Sequence, residues 1–111
     1  MGGRPLLVLA AVWTAASGAV SNALAQQPDP HLARDLGRNL AAACASCHGT
    51  NGVSRAGMPA LAGRDAAEIA RLMQEFKAGL RPATVMQQIA RGYSDGQVEA
   101  IAAYFSAQKA K

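Results

Sequence analysis

Two cysteines and one histidine stand close together in the sequence and carry its most reactive side chains. Cys44 and Cys47 are the only cysteines among 111 residues, and His48 follows the second directly. Thiols at this spacing can form a disulfide, bind zinc, act as a redox pair or bond covalently to a haem. What the chain can do depends on which of these four applies.

Three of the four alternatives fit the rest of the sequence poorly. A disulfide between Cys44 and Cys47 would close a very small loop, and the stabilisation expected from a disulfide grows with loop size. A thioredoxin-like redox pair is typical of a βαβ unit, and the sequence has no strand signals. A structural zinc site needs four ligands, and the only other histidine, His31, is expected in the solvated first turn of a helix.

The fourth alternative uses every residue of the motif, which matches the C-x-x-C-H pattern of covalent haem attachment. Two intervening residues let the two sulfurs reach two vinyl groups at one edge of a porphyrin, and the small side chains of Ala45 and Ser46 avoid a clash with that edge. The imidazole of His48 can then turn toward the iron. The motif therefore predicts one haem c, bonded to Cys44 and Cys47 and ligated by His48.

The ligand on the opposite side of the iron decides the chemistry. An open position allows gas binding or peroxidase-like reactions, whereas a methionine thioether closes the site and raises the reduction potential. We favour Met86, which follows the break at Pro82 and lies far enough along the chain to reach the opposite face. Met58 is in the loop that first covers the histidine side, and Met73 is expected to pack within a helix. A site with no methionine ligand is the remaining alternative.

Helices must position these groups, because helix signals are plentiful and strand signals are absent. Asp29 followed by proline predicts the start of a first helix. Its apolar side chains recur every fourth residue and lead into the motif: Leu32, Leu36, Leu40 and Cys44. The glycine-rich stretch of residues 49–63 is predicted to be a loop.

Three further helices are predicted after this loop. Asp65 caps the first of them, which ends at Gly79, shortly before a proline. A shorter helix is predicted over residues 83–91, and Ser94 with Gln97 has the form of a capping box that opens the last helix. The positions expected to face the core are Ile69, Leu72, Met73, Phe76 and Leu80, then Val98, Ile101, Ala102 and Phe105. The sequence thus predicts an all-α domain of about four helices around one haem.

Residues 1–25 have the pattern of an export signal. Arg4 gives a basic start, residues 6–13 form a short apolar run, and an A-x-A cleavage pattern ends at Ala25. The stretch is too interrupted for a membrane span, which takes roughly 20 predominantly apolar residues. We therefore expect cleavage, export to the periplasm and a single mature domain of residues 26–111, and an uncleaved anchor is the remaining alternative.

The charge of the chain argues against a nucleic-acid partner. The formal net charge is +4 at pH 7, from 11 Lys and Arg against 7 Asp and Glu. These basic residues are scattered, without a cluster and without interleaved aromatic side chains. The mature chain is short and has few aromatic residues, so a large cofactor would help to fill a thin core.

From Gly37 onward the sequence resembles the class I cytochrome c family. The segment Gly37-x-x-Leu40 resembles the N-terminal helix of that family, in which a glycine allows the C-terminal helix to cross closely. The counterpart in this chain is Tyr104-Phe105. The resemblance implies a small helical fold around one covalently bound haem.

A second segment resembles the part of the family that supports the ligand histidine. Pro59-x-Leu61-x-Gly63 is similar to the segment whose proline carbonyl accepts a hydrogen bond from that histidine. The resemblance therefore implies that the Pro59 carbonyl fixes the ring orientation and tautomer of His48.

The closer resemblance is to the haem subunit of flavocytochrome c sulfide dehydrogenase. It rests on "CASCHGTNGVS", on "FKAGLRPATVMQQIARGYSDGQVEAIAAYFSAQK" and on the loop between them. The methionine of the "ATVM" segment is the iron ligand in that family, which implies Met86 here. The sequence has no G-x-G-x-x-G after a strand, so a flavin would belong to another chain.

The resemblance implies a periplasmic monohaem cytochrome with no catalysis of its own. It would accept electrons from an FAD-containing flavoprotein subunit that oxidises sulfide, and pass them to a downstream acceptor. Two alternatives stay open at this point. One is a free electron shuttle without a permanent partner, and the other is a haem sensor or ligand-binding protein with an open sixth site.

Overall fold

Helices account for all the regular secondary structure in the part of the chain that the structure describes. That part is residues 29–111 with Gly2, in a computed structural model, and the predicted export signal otherwise lies outside it. The helices are α1 (Pro30–Ala41), α2 (Ala45–His48), α3 (Ala66–Lys77), α4 (Met86–Arg91) and α5 (Asp95–Ser106), with 3₁₀ turns at Ala42–Cys44 and Thr50–Gly52. The predicted all-α fold is confirmed, and none of the helices in this region is long and apolar enough to cross a membrane.

The predicted helix starts are confirmed by side chains that cap free backbone N–H groups. Asp29 caps α1, and the side chain of Asp65 accepts from the backbone N–H of Glu68 at 3.0 Å to cap α3. At the start of α5 the Gln97 N–H donates to the Ser94 hydroxyl at 3.3 Å, and the Ser94 N–H donates to the Gln97 side chain at 2.9 Å. These bonds are local, so the sequence alone specifies them.

One predicted core position, Leu80, is wrong because of the way α3 ends. Gly79 has a φ of +74°, and its N–H donates to the Phe76 carbonyl at 3.1 Å. The N–H of Leu80 donates to the Glu75 carbonyl at 2.9 Å, which completes a Schellman motif. Leu80 therefore lies beyond the helix and is 78% exposed, not part of the core.

The apolar row predicted along α1 is also only partly buried. The buried residues of α1 are Gly37 and Ala41, whereas Leu32 is 70% and Leu36 49% exposed. Four residues turn a helix of 3.6 residues per turn by about 400°, so a row of every fourth residue drifts by about 40° per step. Only the end of the row near the cysteines, with Leu40, packs against the core.

Helix α4 begins three residues later than predicted, at Met86. Val85 precedes the helix with no side-chain cap, and the segment after Pro82 is bent. The side chain of Gln87 donates to the backbone carbonyl of Arg81 at 3.2 Å and holds this bend. Met86 consequently stands at the first position of α4.

The close crossing of α1 and α5 at Gly37 is present. A Cβ placed on Gly37 would lie 2.6 Å from the carbonyl oxygen of Ala100 and 3.2 Å from the Cβ of Tyr104. Below this crossing lies the larger core cluster, formed by Ala41, Ile69, Ile101, Ala102 and Phe105. The crossing fixes the end of α1, and with it the cysteine motif, against α5.

Replacing Gly37 with alanine is expected to destabilise the protein by about 1–3 kcal/mol, the range found for overpacked sites. The clash with the Ala100 carbonyl exceeds the roughly 1 kcal/mol that alanine gains over glycine inside a helix. Urea unfolding followed by circular dichroism measures the change. Gly96→Ala in α5 is the matched control, because a Cβ there meets nothing within 4 Å. Equal stability of the two variants would show that the crossing is not tight.

Candidate functional site

A cavity of about 760 Å³ lies beside the cysteine motif. Protein interiors leave few voids larger than a water molecule, and ligand pockets usually measure about 300–1,000 Å³. Its wall is mainly apolar, and its apolar side chains come from α3, α4, α5 and the segment that leads into α4. The apolar lining includes Ile69, Leu72, Met73, Phe76, Val85, Ile89, Ile101 and Phe105. The space therefore has the size and lining of a cofactor site.

The three reactive side chains of the motif share one wall of this cavity. Cys44 immediately precedes α2, and Cys47 and His48 end it, so the three residues stand at positions i, i+3 and i+4 of a helical turn. Side chains at this spacing lie on one face of a helix, and all three line the cavity. The geometry thus directs both sulfurs and the imidazole toward the same occupant.

The two thiols differ in their surroundings. Cys44 is half-buried and Cys47 is exposed. Burial raises the pKa of the Cys44 thiol, and the neighbouring Cys47 raises it further. Within residues 29–111 and Gly2, no group of three or more His, Cys, Asp or Glu side chains is arranged to hold a metal ion.

His48 is buried and held in one orientation. Its side chain is 8% exposed, and Nδ1 lies 2.7 Å from the carbonyl oxygen of Pro59. A carbonyl only accepts, so Nδ1 carries the proton and donates. The neutral ring then keeps its lone pair on Nε2, the nitrogen that remains for a metal. The structure brings Pro59 and His48 together in the arrangement that the family resemblance implies.

The loop that carries Pro59 is folded back by a turn at Gly52. The N–H groups of Leu61 and Ala62 both donate to the Gly52 carbonyl, at 2.9 and 3.2 Å. Gly52 has a φ of +75°, and a Cβ there would lie 2.8 Å from the Ala62 nitrogen. The Tyr104 hydroxyl donates to the Asn51 side chain at 2.7 Å and ties this loop to α5. Sequence analysis missed this bond, because no local pattern signals it.

All three candidate methionines line the cavity, but their surroundings differ. Met58 is the chain neighbour of Pro59 and therefore belongs to the wall that supports His48. Met73 is buried in a second core cluster that joins α3, α4 and α5. Met86 is half-buried at the start of α4 and packs against the edge of that cluster. Of the three, only Met86 lies neither on the histidine wall nor within the core.

Sequence analysis also missed the charged side chains of the cavity. Arg64 and Arg81 line it, and no spacing pattern in the sequence marks either residue. Arg64 pairs with Glu68 at 3.4 Å and Arg81 pairs with Glu75 at 3.1 Å. Both pairs are partly exposed, so their direct contribution to stability is small.

Comparison with known proteins matches this arrangement to one family. The family model described as cytochrome C oxidase, cbb3-type, subunit III matches residues 31–105. A solved structure, reduced recombinant cytochrome c4 from Pseudomonas stutzeri, superposes with a TM-score of 0.66 at 28% identity, covering 73% of this chain and 50% of that one.

Curated relatives with similar sequences come from several bacteria. The thiosulfate dehydrogenase electron acceptor of Stutzerimonas stutzeri is 43% identical over 77 residues, which is 67% of this chain and 36% of the relative. The cytochrome subunit of sulfide dehydrogenase of Chlorobaculum tepidum is 39% identical over 69 residues, or 62% of this chain and 63% of the relative. Cytochrome c-554(548) of Halomonas halodenitrificans is 34% identical, with 66% and 93% covered. The chain spans only 36% and 63% of the length of the first two of these relatives.

Proposed function

This chain belongs to the class I c-type cytochromes, and from that premise we propose that it is a periplasmic electron-transfer subunit that accepts electrons from a flavoprotein dehydrogenase. The family implies a covalently bound haem c, and the single C-x-x-C-H motif gives one haem per chain. A bound haem supplies a one-electron iron couple. The downstream acceptor takes the electrons that leave this chain.

In this proposal the residues of the cavity wall hold the haem. Cys44 and Cys47 would carry its two thioether bonds, and His48 and Met86 would hold the iron. The observation that carries the proposal is the single wall on which both cysteines and the buried His48 meet a cavity of about 760 Å³. The residues present therefore fit the group that the family implies.

Each of these side chains has a separate task. The hydrogen bond from His48 to the Pro59 carbonyl, at 2.7 Å, fixes the tautomer and strengthens the ring as a ligand. The thioether of Met86 favours ferrous iron and raises the reduction potential. The apolar wall excludes water from the iron and lowers the local dielectric constant, which is a further control on the potential.

The names of the relatives support a dehydrogenase partner. Two of them are named as the cytochrome subunit of a sulfide dehydrogenase and as the electron acceptor of a thiosulfate dehydrogenase. Ala45, Ser46 and Cys47 line a second hollow, of about 550 Å³, and Ser46 and Cys47 are exposed. This outer surface of the motif is where a partner would approach the haem edge most closely.

The net charge favours a partner held by short-range contacts. Without Arg4 the formal charge of the chain falls from +4 to +3. The two carboxylates of a haem would lower it to about +1, a field too weak for strong long-range steering. We therefore place the docking surface on mainly uncharged residues around Ala45, Ser46 and the segment near Met86, with Arg55 and Lys111 also lining the hollow beside the motif.

We expect a stable heterodimer with a flavin-containing subunit. The association of the two chains should weaken only modestly between low and high salt. Gel filtration of the two chains from the native source, at low and high ionic strength, measures the association, and the haem should be reduced when sulfide is added. Separate elution at micromolar concentrations, or complete dissociation in ordinary salt, would contradict a permanent complex.

A free electron shuttle is the second candidate, and the relatives give a specific reason to keep it. Cytochrome c4 of Pseudomonas aeruginosa is 38% identical to this chain over 82 residues. The thiosulfate dehydrogenase electron acceptor, at 43% identity, is also more similar to this chain than the sulfide dehydrogenase subunit, at 39%. Separate elution combined with reduction by a thiosulfate-oxidising dehydrogenase, and not by a sulfide-oxidising one, would favour this candidate.

A further inference from the structure

The cavity wall carries charge of one sign only. Among the lining residues in the described part of the chain, the formally charged side chains are Arg64 and Arg81, and none is a carboxylate. A haem bears two carboxylates on one edge, so a pair of guanidinium groups on an otherwise neutral wall is complementary to it. The question is which of the two arginines is held in a position to bind one of them.

Arg81 is fixed by contacts on one side of its guanidinium group. Its Nε donates to the Glu75 carboxylate at 3.1 Å, and its Cζ lies 5.8 Å from the centre of the Phe76 ring, which itself lines the cavity. The backbone carbonyl of the same residue accepts from Gln87 at 3.2 Å. Both the side chain and the main chain of Arg81 are therefore tied down next to the cavity.

Glu75 is well suited to hold this arginine. It accepts hydrogen bonds from both Arg71 and Arg81. The hydrogen bond from Arg81 is the main reason that the pKa of Glu75 lies below its usual value. The carboxylate is consequently charged at neutral pH. Because the bond to Glu75 uses Nε, the two terminal nitrogens of Arg81, with four N–H groups, remain for another acceptor.

Arg64 is held less firmly. Within residues 29–111 its one ion pair is with Glu68, one turn away at 3.4 Å, and it occupies Nη1, one of the terminal nitrogens. That distance is beyond the usual range of a strong charge-assisted hydrogen bond. Of the two arginines, Arg81 is thus the one whose terminal fork is both free and oriented.

We propose that Arg81, which lines the cavity, binds a carboxylate of the haem through its terminal nitrogens while Glu75 holds its Nε. This assignment rests on the proposed haem site and goes beyond it by naming a residue that would bind the carboxylate edge of the haem. A fixed positive charge near the iron also stabilises the reduced state, in which the iron carries one positive charge fewer.

The test compares Arg81→Gln with Arg71→Gln in the haem-loaded protein. Both variants lose one positive charge and one partner of Glu75, but only Arg81 lines the cavity. Resonance Raman spectra should show a shift of the haem carboxylate bending bands in Arg81→Gln and none in Arg71→Gln. Potentiometric titration should show about a tenfold weaker preference for the reduced state in Arg81→Gln, which is about 59 mV for one electron, and a smaller change in Arg71→Gln.

A charge-conserving variant separates the loss of the carboxylate contact from a general effect of charge or of folding. Arg81→Lys keeps the positive charge but lacks the planar fork, so its carboxylate bands should shift while its potential stays close to that of the wild type. Unchanged bands in both Arg81 variants, or equal shifts of potential in Arg81→Gln and Arg71→Gln, would overturn the assignment. The result does not depend on a flavoprotein, because a chemical reductant is used. If the wild-type protein bound no haem at all, that outcome would contradict the proposed function.

Discussion

Replacing both Cys44 and Cys47 with serine will yield a protein that carries no covalently bound haem. A thioether bond needs a sulfur, and these are the only two cysteines in the chain. After expression with haem-maturation machinery, denaturing electrophoresis and a haem stain should show a coloured band for the wild type and none for the double variant. Single variants should keep a coloured band, because one thioether bond remains.

The same double variant should also lose stability. The cavity of about 760 Å³ would have no tethered occupant, and small domains with thin cores commonly depend on a cofactor or another staple. Ser46→Ala is the matched control within the motif, because its exposed hydroxyl donates to the Ala43 carbonyl at 3.2 Å and lies 3.9 Å from the Cys47 sulfur, while both cysteines remain in this variant. A coloured band in the double variant would contradict the assignment of both cysteines as the sites of haem attachment.

Replacing Met86 with alanine will remove the weak far-red band of sulfur–iron charge transfer from the spectrum of the ferric protein. The thioether at the start of α4 is the proposed sixth ligand, and alanine has no atom that can ligate iron. The reduction potential should fall as well, because methionine ligation raises it. Optical spectroscopy and potentiometric titration measure the two effects.

The other two methionines are the controls for Met86. Met58→Ala and Met73→Ala should both keep the far-red band. Met73 is buried in a core cluster, so its alanine variant should also lose about 2–5 kcal/mol of stability and must be measured well below its melting temperature. Loss of the band in Met58→Ala would instead assign the ligand to the loop beside Pro59.

The parts of the fold that sequence could predict are those set by local bonds. Asp65 and Ser94 cap helices through backbone groups three residues away, and these contacts follow from the sequence of one turn. Gly79 ends α3 for an equally local reason, since its positive φ suits glycine. The motif that attaches the haem is also contiguous in sequence.

The parts that sequence could not predict depend on neighbours far away in the chain. Leu32 and Leu36 fit an apolar row, but the buried residues of α1, Gly37 and Ala41, lie in its second half, and the two leucines stay exposed. The bond between Asn51 and Tyr104 joins residues 53 positions apart. Arg81 is held beside the cavity by Glu75 and by the bend after α3. No sequence pattern predicts either of these two features.

Exposure of the reduced protein to carbon monoxide tests most directly whether the iron is closed by the side chains of this chain, as an electron carrier requires. The optical spectrum of the chemically reduced, haem-loaded protein is recorded before and after the gas is added at neutral pH. We expect no change in the wild type and an immediate shift of the main absorption band in Met86→Ala, which shows that the gas can reach the iron. An immediate shift in the wild type would contradict the account and favour a haem sensor or ligand-binding protein with an open sixth site.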